Sequence, residues 1–465
     1  MRKWWIGGAL VVALVVQLAG CGGGSGSGAD GTSAGTSTRT DTGTTSGTAT
    51  DLDTPLRAYL ASNGVVAPAE PAVSDALYNL GSVLFQSTLL SGTRSVSCAS
   101  CHPIGNAGLD NLVLSIGING SGTPPNRTGS PLIHRNAPDL LNKVVGNPRF
   151  MFWDGRVSVS NGVYTSPAGA ALPAGLGSLA AVQALFPLLS RPEMLGYNDP
   201  ADANELADLN PAGATVEQDP LPVWNGIMAR LRADTQIAGL LQQAYPDTPL
   251  SAIGIAAVGN ALAAFESRRW YAFGIKTYFH GYMAGVLDIP DSAKRGGLLF
   301  FGKAGCAACH GGPLLSDQKF HNLAVPQIGP GFAAGAAMTP PHDLGRYGVT
   351  GSDADKYAFL TPSLWEVKNT WPYFHNGVFA TLEEAVRHHL DPAASAMAFR
   401  CSDALRSGGN VLPCQDSTTA PALYADLVAR LDPALKSPPR LSDSEFADLI
   451  AFLNQLTNGS NNSVR

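Results

Sequence analysis

Two copies of one pentapeptide constrain this 465-residue chain more than any other feature: C-A-S-C-H at residues 98–102 and C-A-A-C-H at 306–310. Seven cysteines and nine histidines in a chain of this length predict roughly 0.002 chance occurrences of the pattern, so two are not accidental. The spacing has a chemical reason. Two thiols can add across the vinyl groups of one porphyrin edge, and the adjacent histidine turns back to coordinate the iron axially. A structural zinc site would want further Cys or His pairs nearby, and none follows either motif. A redox C-x-x-C does not call for the histidine. The motifs read as two covalent c-type haems on Cys98, Cys101, Cys306 and Cys309, with His102 and His310 as proximal ligands.

Composition narrows the class. At 45% hydrophobic the chain is globular, neither wholly disordered nor a polytopic membrane protein. Its length allows two or three domains, and its 52 glycines and 33 prolines predict long loops. Only 14% of residues are charged and the net charge is −6, which removes the electrostatic basis for nucleic-acid binding.

The first 20 residues have a basic start at Arg2 and Lys3, an apolar run too short to span a bilayer, and small residues at the end, as in a secretory signal peptide. Cys21 follows, and L-A-G-C resembles the bacterial lipobox, whose cysteine is lipidated. A plain signal peptide with an incidental cysteine is the alternative. Gly22 rather than Asp after that cysteine implies, by the same resemblance, the outer membrane. Residues 21–52 are nearly all Gly, Ser, Thr and Ala and read as a flexible tether, so the membrane is reached only through the lipid. A periplasmic location suits the motifs, because bacterial haem c is attached outside the cytoplasm.

Several segments around the motifs resemble the di-haem cytochrome c peroxidase family, which includes the MauG-type enzymes. They are HRNAPDLLN (134–142), FWDGR (152–156), QALFPLLSRPEM (183–194), LAAFESR (262–268), GLLFFGKAGCAACHGGPLLSD (297–317) and TPSLWEVKNTWPYFHNGVFATLEEAV (361–386), in family order over most of the mature chain. The resemblance implies a mainly α fold of two cytochrome c-like domains, 53–270 and 271–465, each with one haem near a shared interface. Helical apolar spacing over 250–270 and 441–456 agrees, and Ser442 with Glu445 forms a capping box. No sustained strand alternation is present. The stretches 155–183 and 200–222, rich in Gly, Pro and Ala, read as loops or insertions.

The resemblance also implies site residues. The first haem is the peroxidatic one, and the glutamine and glutamate of its distal side fall on Gln183 and Glu193. A carboxylate over a peroxide can take the proton from the near oxygen and deliver it to the departing one, while the Gln183 amide orients peroxide or water. Phe152 would wall the pocket, and Trp153 matches the tryptophan placed between the haems as an electron relay; as bare aromatics both are equally core residues. Many of the peroxidases carry a movable distal histidine on the loop after the first motif. Here that position is Ile118, which cannot ligate iron, so the first haem is expected to be open without reductive activation; His134 is the nearest substitute ligand.

The sixth ligand of the second haem, methionine in the peroxidases and tyrosine in MauG, falls on His389, fourteen residues after His375. His388 points about 100° around the helix, and Met397 is the fallback. Imidazole in place of methionine lowers the haem potential, which makes the second haem a poorer electron reserve and leans toward MauG-like use of oxidising equivalents. The family's calcium maps to Asn136, Thr370 and Pro372, oxygen donors too few to close the shell without water. Outside the motifs, Cys401 and Cys414 lie in a polar insertion and are expected to form a disulfide, two free thiols being the alternative. His280, His321 and His342 read as structural or exposed.

Three functions follow: a peroxidase reducing hydrogen peroxide with electrons from a small cytochrome c or cupredoxin, a MauG-like enzyme oxidising Trp or Tyr of a partner protein, and a non-catalytic electron carrier. Gln183 and Glu193 argue against the third, because a carrier needs no acid/base group beside a vacant iron.

Overall fold

Each C-x-x-C-H motif follows a helix that a much later helix crosses at a glycine. In the first half, Ser74 caps the helix Asp75–Gln86 by accepting from the Leu77 N–H, and Leu80, Leu84 and Phe85 are buried. The helix Ala256–Arg269 crosses it so closely that a Cβ on Gly81 would lie 1.9 Å from the Ala261 carbonyl oxygen. The second half repeats the device. Helix Asp291–Phe301 meets the terminal helix Asp443–Gln455 at Gly296, where a Cβ would lie 1.8 Å from the Asp448 oxygen. The Ser442/Glu445 capping box starts that terminal helix, as its sequence predicts.

In this computed structural model the described residues are 51–457, apart from 199–203, 211–215, 272–276, 333–341, 403 and 438. The signal peptide, Cys21, nearly all of the tether and part of 200–222 therefore lie outside the described residues. Among the described residues, no helix is long and apolar enough to cross a membrane. The chain is mainly helical, with two large apolar cores. Trp270 packs in the first and Tyr271 in the second.

Three details depart from expectation. The helix Asp53–Ser62 buries Leu56 and Leu60 in the second core, so a first domain drawn from residue 53 begins in the wrong half. The stretch 250–270 is not one helix: a 3-10 turn at Leu250–Ala252 gives way at Gly254, and the helix starts at Ala256. The stretch 155–183 is not all loop. Val157–Ser160 and Val163–Thr165 form a hairpin, with Ser160 opposite Val163, and Phe150–Met151 adds a third antiparallel strand. Asn161 and Gly162 both take positive φ, as a two-residue primed hairpin turn demands, so the N-G dipeptide was the signal.

The glycine crossings give a stability prediction. Gly296→Ala should destabilise the protein by about 1–3 kcal/mol, because the new methyl meets a backbone oxygen that no rotamer change can move. Gly239→Ala, in the helix Thr235–Ala244 with open space around it, should instead stabilise by about 0.5–1 kcal/mol. Chemical denaturation followed by circular dichroism separates the two signs.

Candidate functional site

Both motifs fold into the same tight turn. Cys98–Ser100 and Cys306–Ala308 are single 3-10 turns, and the His102 and His310 N–H groups donate to the Cys98 and Cys306 carbonyls, each at 2.9 Å. That turn puts two sulfurs and one imidazole on the wall of one cavity. Each proximal ring is then oriented by its own backbone: His102 Nδ1 lies 2.6 Å from the Gly108 oxygen and His310 Nδ1 2.9 Å from that of Leu315. Nδ1–H donated to a carbonyl leaves Nε2 as the ligating atom. Burial lowers both imidazole pKa values, His310's to about 4, so both rings are neutral, as ligands must be. Burial also pushes the Cys98 and Cys306 thiols up to about 12, the reverse of what a redox C-x-x-C needs.

The first cavity gathers the residues that the sequence placed there. Gln183, at the end of the helix Leu179–Gln183, lines it with Glu193, Phe152 and Trp153. Glu193 sits in a wide π-type turn, Arg191–Leu195, which turns its carboxyl inward. Burial raises its pKa to about 7, opposed by the Arg156 cation and reinforced by the Glu217 anion. A carboxyl poised there exchanges protons in both directions at neutral pH.

The distal loop is arranged differently from expectation. Ile118 is buried in the first core, its N–H bonded to the Pro192 oxygen at 3.1 Å, and it does not line the cavity. From the same region Ser115 and Ile133 reach the wall, and so does His134. Burial brings the His134 pKa to about 4, so this ring too is neutral. Three further polar side chains at or beside this cavity were assigned no role. Arg156 has its guanidinium carbon 3.8 Å from the Phe152 ring centre. Glu266 projects from the helix Ala256–Arg269 with an unpartnered Oε2 and a pKa raised to about 8 by burial. Glu217 stands behind Arg156. A single Glu inside the apolar run A-A-F-E-S was the one local signal for Glu266; nothing local marks Glu217.

In the second cavity the rings of His310 and His389 lie 6.3 Å apart, centre to centre. Two imidazoles on one iron, each nitrogen about 2 Å from the metal and each ring centre about 1.1 Å beyond, require about 6 Å. The residues therefore fit a haem between them. His389 Nδ1 is 2.8 Å from the Ala385 oxygen, again leaving Nε2. His388 is not available: its nitrogens bond Ser395 Oγ at 2.9 Å and the Leu323 oxygen at 2.8 Å. Met397 is 45% exposed and off the cavity. His321, read as structural or exposed, lies on this wall between two carboxylates, Asp432 at 2.7 Å and Asp317 at 3.0 Å. The Cys309 sulfur and those two partners raise its pKa to about 10. His280 stacks on Trp365 in the second core, and His342 lines neither cavity.

Trp153 lines both cavities, with its Nε1–H donating to the Asn136 oxygen at 3.0 Å. Asn136 Nδ2 donates to the Leu112 and Val113 oxygens at 2.9 and 3.0 Å, which aims its Oδ1 elsewhere, and Thr370 and Pro372 line the second cavity with it. Cys401 and Cys414 form a disulfide, with Cα atoms 5.8 Å apart.

Comparison with known proteins agrees with this geometry. Residues 75–284 match the family described as di-haem cytochrome c peroxidase. The methylamine utilization protein MauG of Methylorubrum extorquens is 30% identical over 313 residues, covering 67% of each chain. The cytochrome-c peroxidase IdrP2 of a Pseudomonas strain is 29% identical over 341 residues, 69% of this chain and 75% of that one. Among solved structures, a MauG-like protein associated with microbial copper homeostasis superposes with a TM-score of 0.55 at 25% identity, covering 85% of this chain and 94% of that one.

Proposed function

Because the chain belongs to the di-haem cytochrome c peroxidase and MauG family, and is thus an oxidoreductase of the peroxidase type with two c-type haems, we propose that it reduces hydrogen peroxide in the periplasm at its first cavity. The net reaction takes one peroxide, two protons and two electrons to two waters. The carrying observation is the Glu193 carboxyl, half-buried and poised near pH 7 in the same cavity as Cys98, Cys101 and His102. When bound, the haems supply the redox chemistry. Glu193 accepts the proton from the near peroxide oxygen and returns it to the departing one, Gln183 orients the peroxide through its amide, and Phe152 keeps bulk water out.

The electrons would come from a small periplasmic cytochrome c or cupredoxin. His310 and His389 would hold the second haem, which would supply the centre that receives them, and Trp153, on the wall of both cavities, serves as the relay. Asn136, Thr370 and Pro372 would hold one calcium, for which they supply oxygen donors. Residues 53–270, less the helix Asp53–Ser62 that packs in the second core, and 271–465 serve as peroxidatic and electron-transfer halves, and a lipid on Cys21 tethers the protein to the outer membrane. One observation favours a second reading. With His310 and His389 to hold it, the second haem would lack the methionine that raises the potential, which suits a MauG-like oxidation of Trp or Tyr on a partner protein. Stoichiometric peroxide added to the ferric protein separates the two. Rapid oxidation of reduced cytochrome c supports the peroxidase; a near-infrared charge-resonance band with poor cytochrome turnover supports protein oxidation.

Two outcomes are expected of variants. Turnover should rise with pH through about 7 as Glu193 loses its proton, and Glu193→Gln should cost about 10²–10⁴-fold with both haems retained; unchanged turnover would remove Glu193 from the mechanism. His389→Ala should convert the second haem's low-spin EPR signal to high spin, whereas His388→Ala should leave it. His389→Met should raise that haem's potential in a spectroelectrochemical titration.

A further inference from the structure

Arg156 lines the first cavity together with Glu193, and its guanidinium is only partly engaged. Nη1 lies 3.1 Å from Asp154 Oδ2, the Phe152 ring covers one face, and Phe332 is 5.3 Å away. Its Nε makes no hydrogen bond although it is buried. Glu217 Oε1 lies 3.8 Å from that Nε.

The turn that carries Glu193 is linked through Asn210 to Asp219, two residues beyond Glu217. Arg191, the first residue of that turn, donates to the Asn210 oxygen at 2.7 Å, and the Asn210 amide donates to the Asp219 oxygen at 3.3 Å. Val216 is buried in the first core beside Glu217. The two carboxyls thus flank one cation: Glu193 lines the first cavity with Arg156, and Glu217, 17% of its side chain exposed, lies 3.8 Å from the Arg156 Nε.

We propose that Glu217 is a positioning residue for the peroxide site, competing with Glu193 for the charge of Arg156. The inference rests on the reading of Glu193 as the acid/base group. While Glu217 is ionised it draws the guanidinium field toward itself and repels a second anion, and both effects favour the protonated Glu193 carboxyl. The other titratable groups facing this cluster are Asp154, already paired with Arg135 and Arg156, Asp343 behind Arg135, Glu266 on the same cavity wall, which burial keeps protonated, and the neutral His134 ring. Burial raises the Glu217 pKa, with Arg156 opposing and Asp154 reinforcing, so these charges act on one another.

The test compares wild-type holoprotein with Glu217→Gln, Glu217→Asp and Glu193→Gln. The protonated-carboxyl stretch of Glu193, assigned by its loss in Glu193→Gln, is titrated by difference infrared spectroscopy beside the pH profile of peroxide turnover. In Glu217→Gln, the band midpoint and the rising limb should both move to lower pH by about half a unit or more, a threefold change in proton affinity. Glu217→Asp, which keeps the charge, should stay near the wild type. An unmoved midpoint in Glu217→Gln, or an equal shift in Glu217→Asp, overturns the role of Glu217. If Glu193→Gln keeps the rising limb, the acid/base reading of Glu193 itself fails, and that outcome is distinct from the first.

Discussion

The site depends on one buried cation. Arg135 is held by Asp154 at 2.7 Å and, through two nitrogens, by Asp343 at 2.6 and 2.8 Å, with all three side chains almost fully withdrawn from water. Desolvation opposes the charge on Arg135, but the two carboxylates outweigh it and its pKa is raised; burial likewise opposes ionisation of Asp154, yet Arg156 and Arg135 bring that carboxyl down to about 2. A buried pair is weak evidence for stability, since breaking one costs about 3–5 kcal/mol while replacing it whole can cost nothing. Its clearer effect is geometric. Arg135 and Asp154 come from the segment between the motifs and Asp343 from beyond the second, so the triad fixes how the two cavity walls meet.

Everything that joins the cavities lies beside that triad. Asn136 follows Arg135, and its N–H donates to the His375 oxygen at 2.7 Å; Trp153 precedes Asp154, and its oxygen accepts from the Leu360 N–H at 2.9 Å. Arg346 then closes over the Asp154 and Gly155 carbonyls at 2.8 and 2.9 Å. The tryptophan shared by the two cavities is thereby pinned on both its backbone and its Nε1–H, which suits a relay: a group that passes electrons gains from a fixed distance and loses from motion.

Most of the site was legible because its parts are local. A C-x-x-C-H motif encodes its own turn, and the His310–His389 distance follows once the helix Leu382–Leu390 is set by its Thr381/Glu384 capping box. The disulfide was legible from compartment and proximity, its cysteines being 13 residues apart. What was not legible acts at long range. His321 meets Asp432 across 111 positions, and Arg135 meets Asp343 across 208. Glu217 reaches Arg156 from within a stretch that composition marked as loop. Ile118 was placed at the cavity by position in a motif, but the backbone there turns it into the core, and the wall passes to Ser115 and His134.

One physical condition then serves both halves of the chemistry. The interior that removes water from His102, His310 and His389 keeps those rings neutral and able to ligate metal, and the same loss of water lifts Glu193 to about 7 and Glu266 to about 8. Desolvation disfavours every charged form, so it disarms imidazoles as cations and arms carboxyls as acids in one step. The difference between the two carboxyls lies in what faces them. Arg156 stands by Glu193 and holds it where protons move both ways, whereas Glu266 has only the influence of Lys143 and stays protonated at neutral pH. A carboxyl that keeps its proton donates a hydrogen bond but takes up no second proton, so of the two only Glu193 is poised to exchange protons at neutral pH, and its cation, not its burial alone, makes that difference.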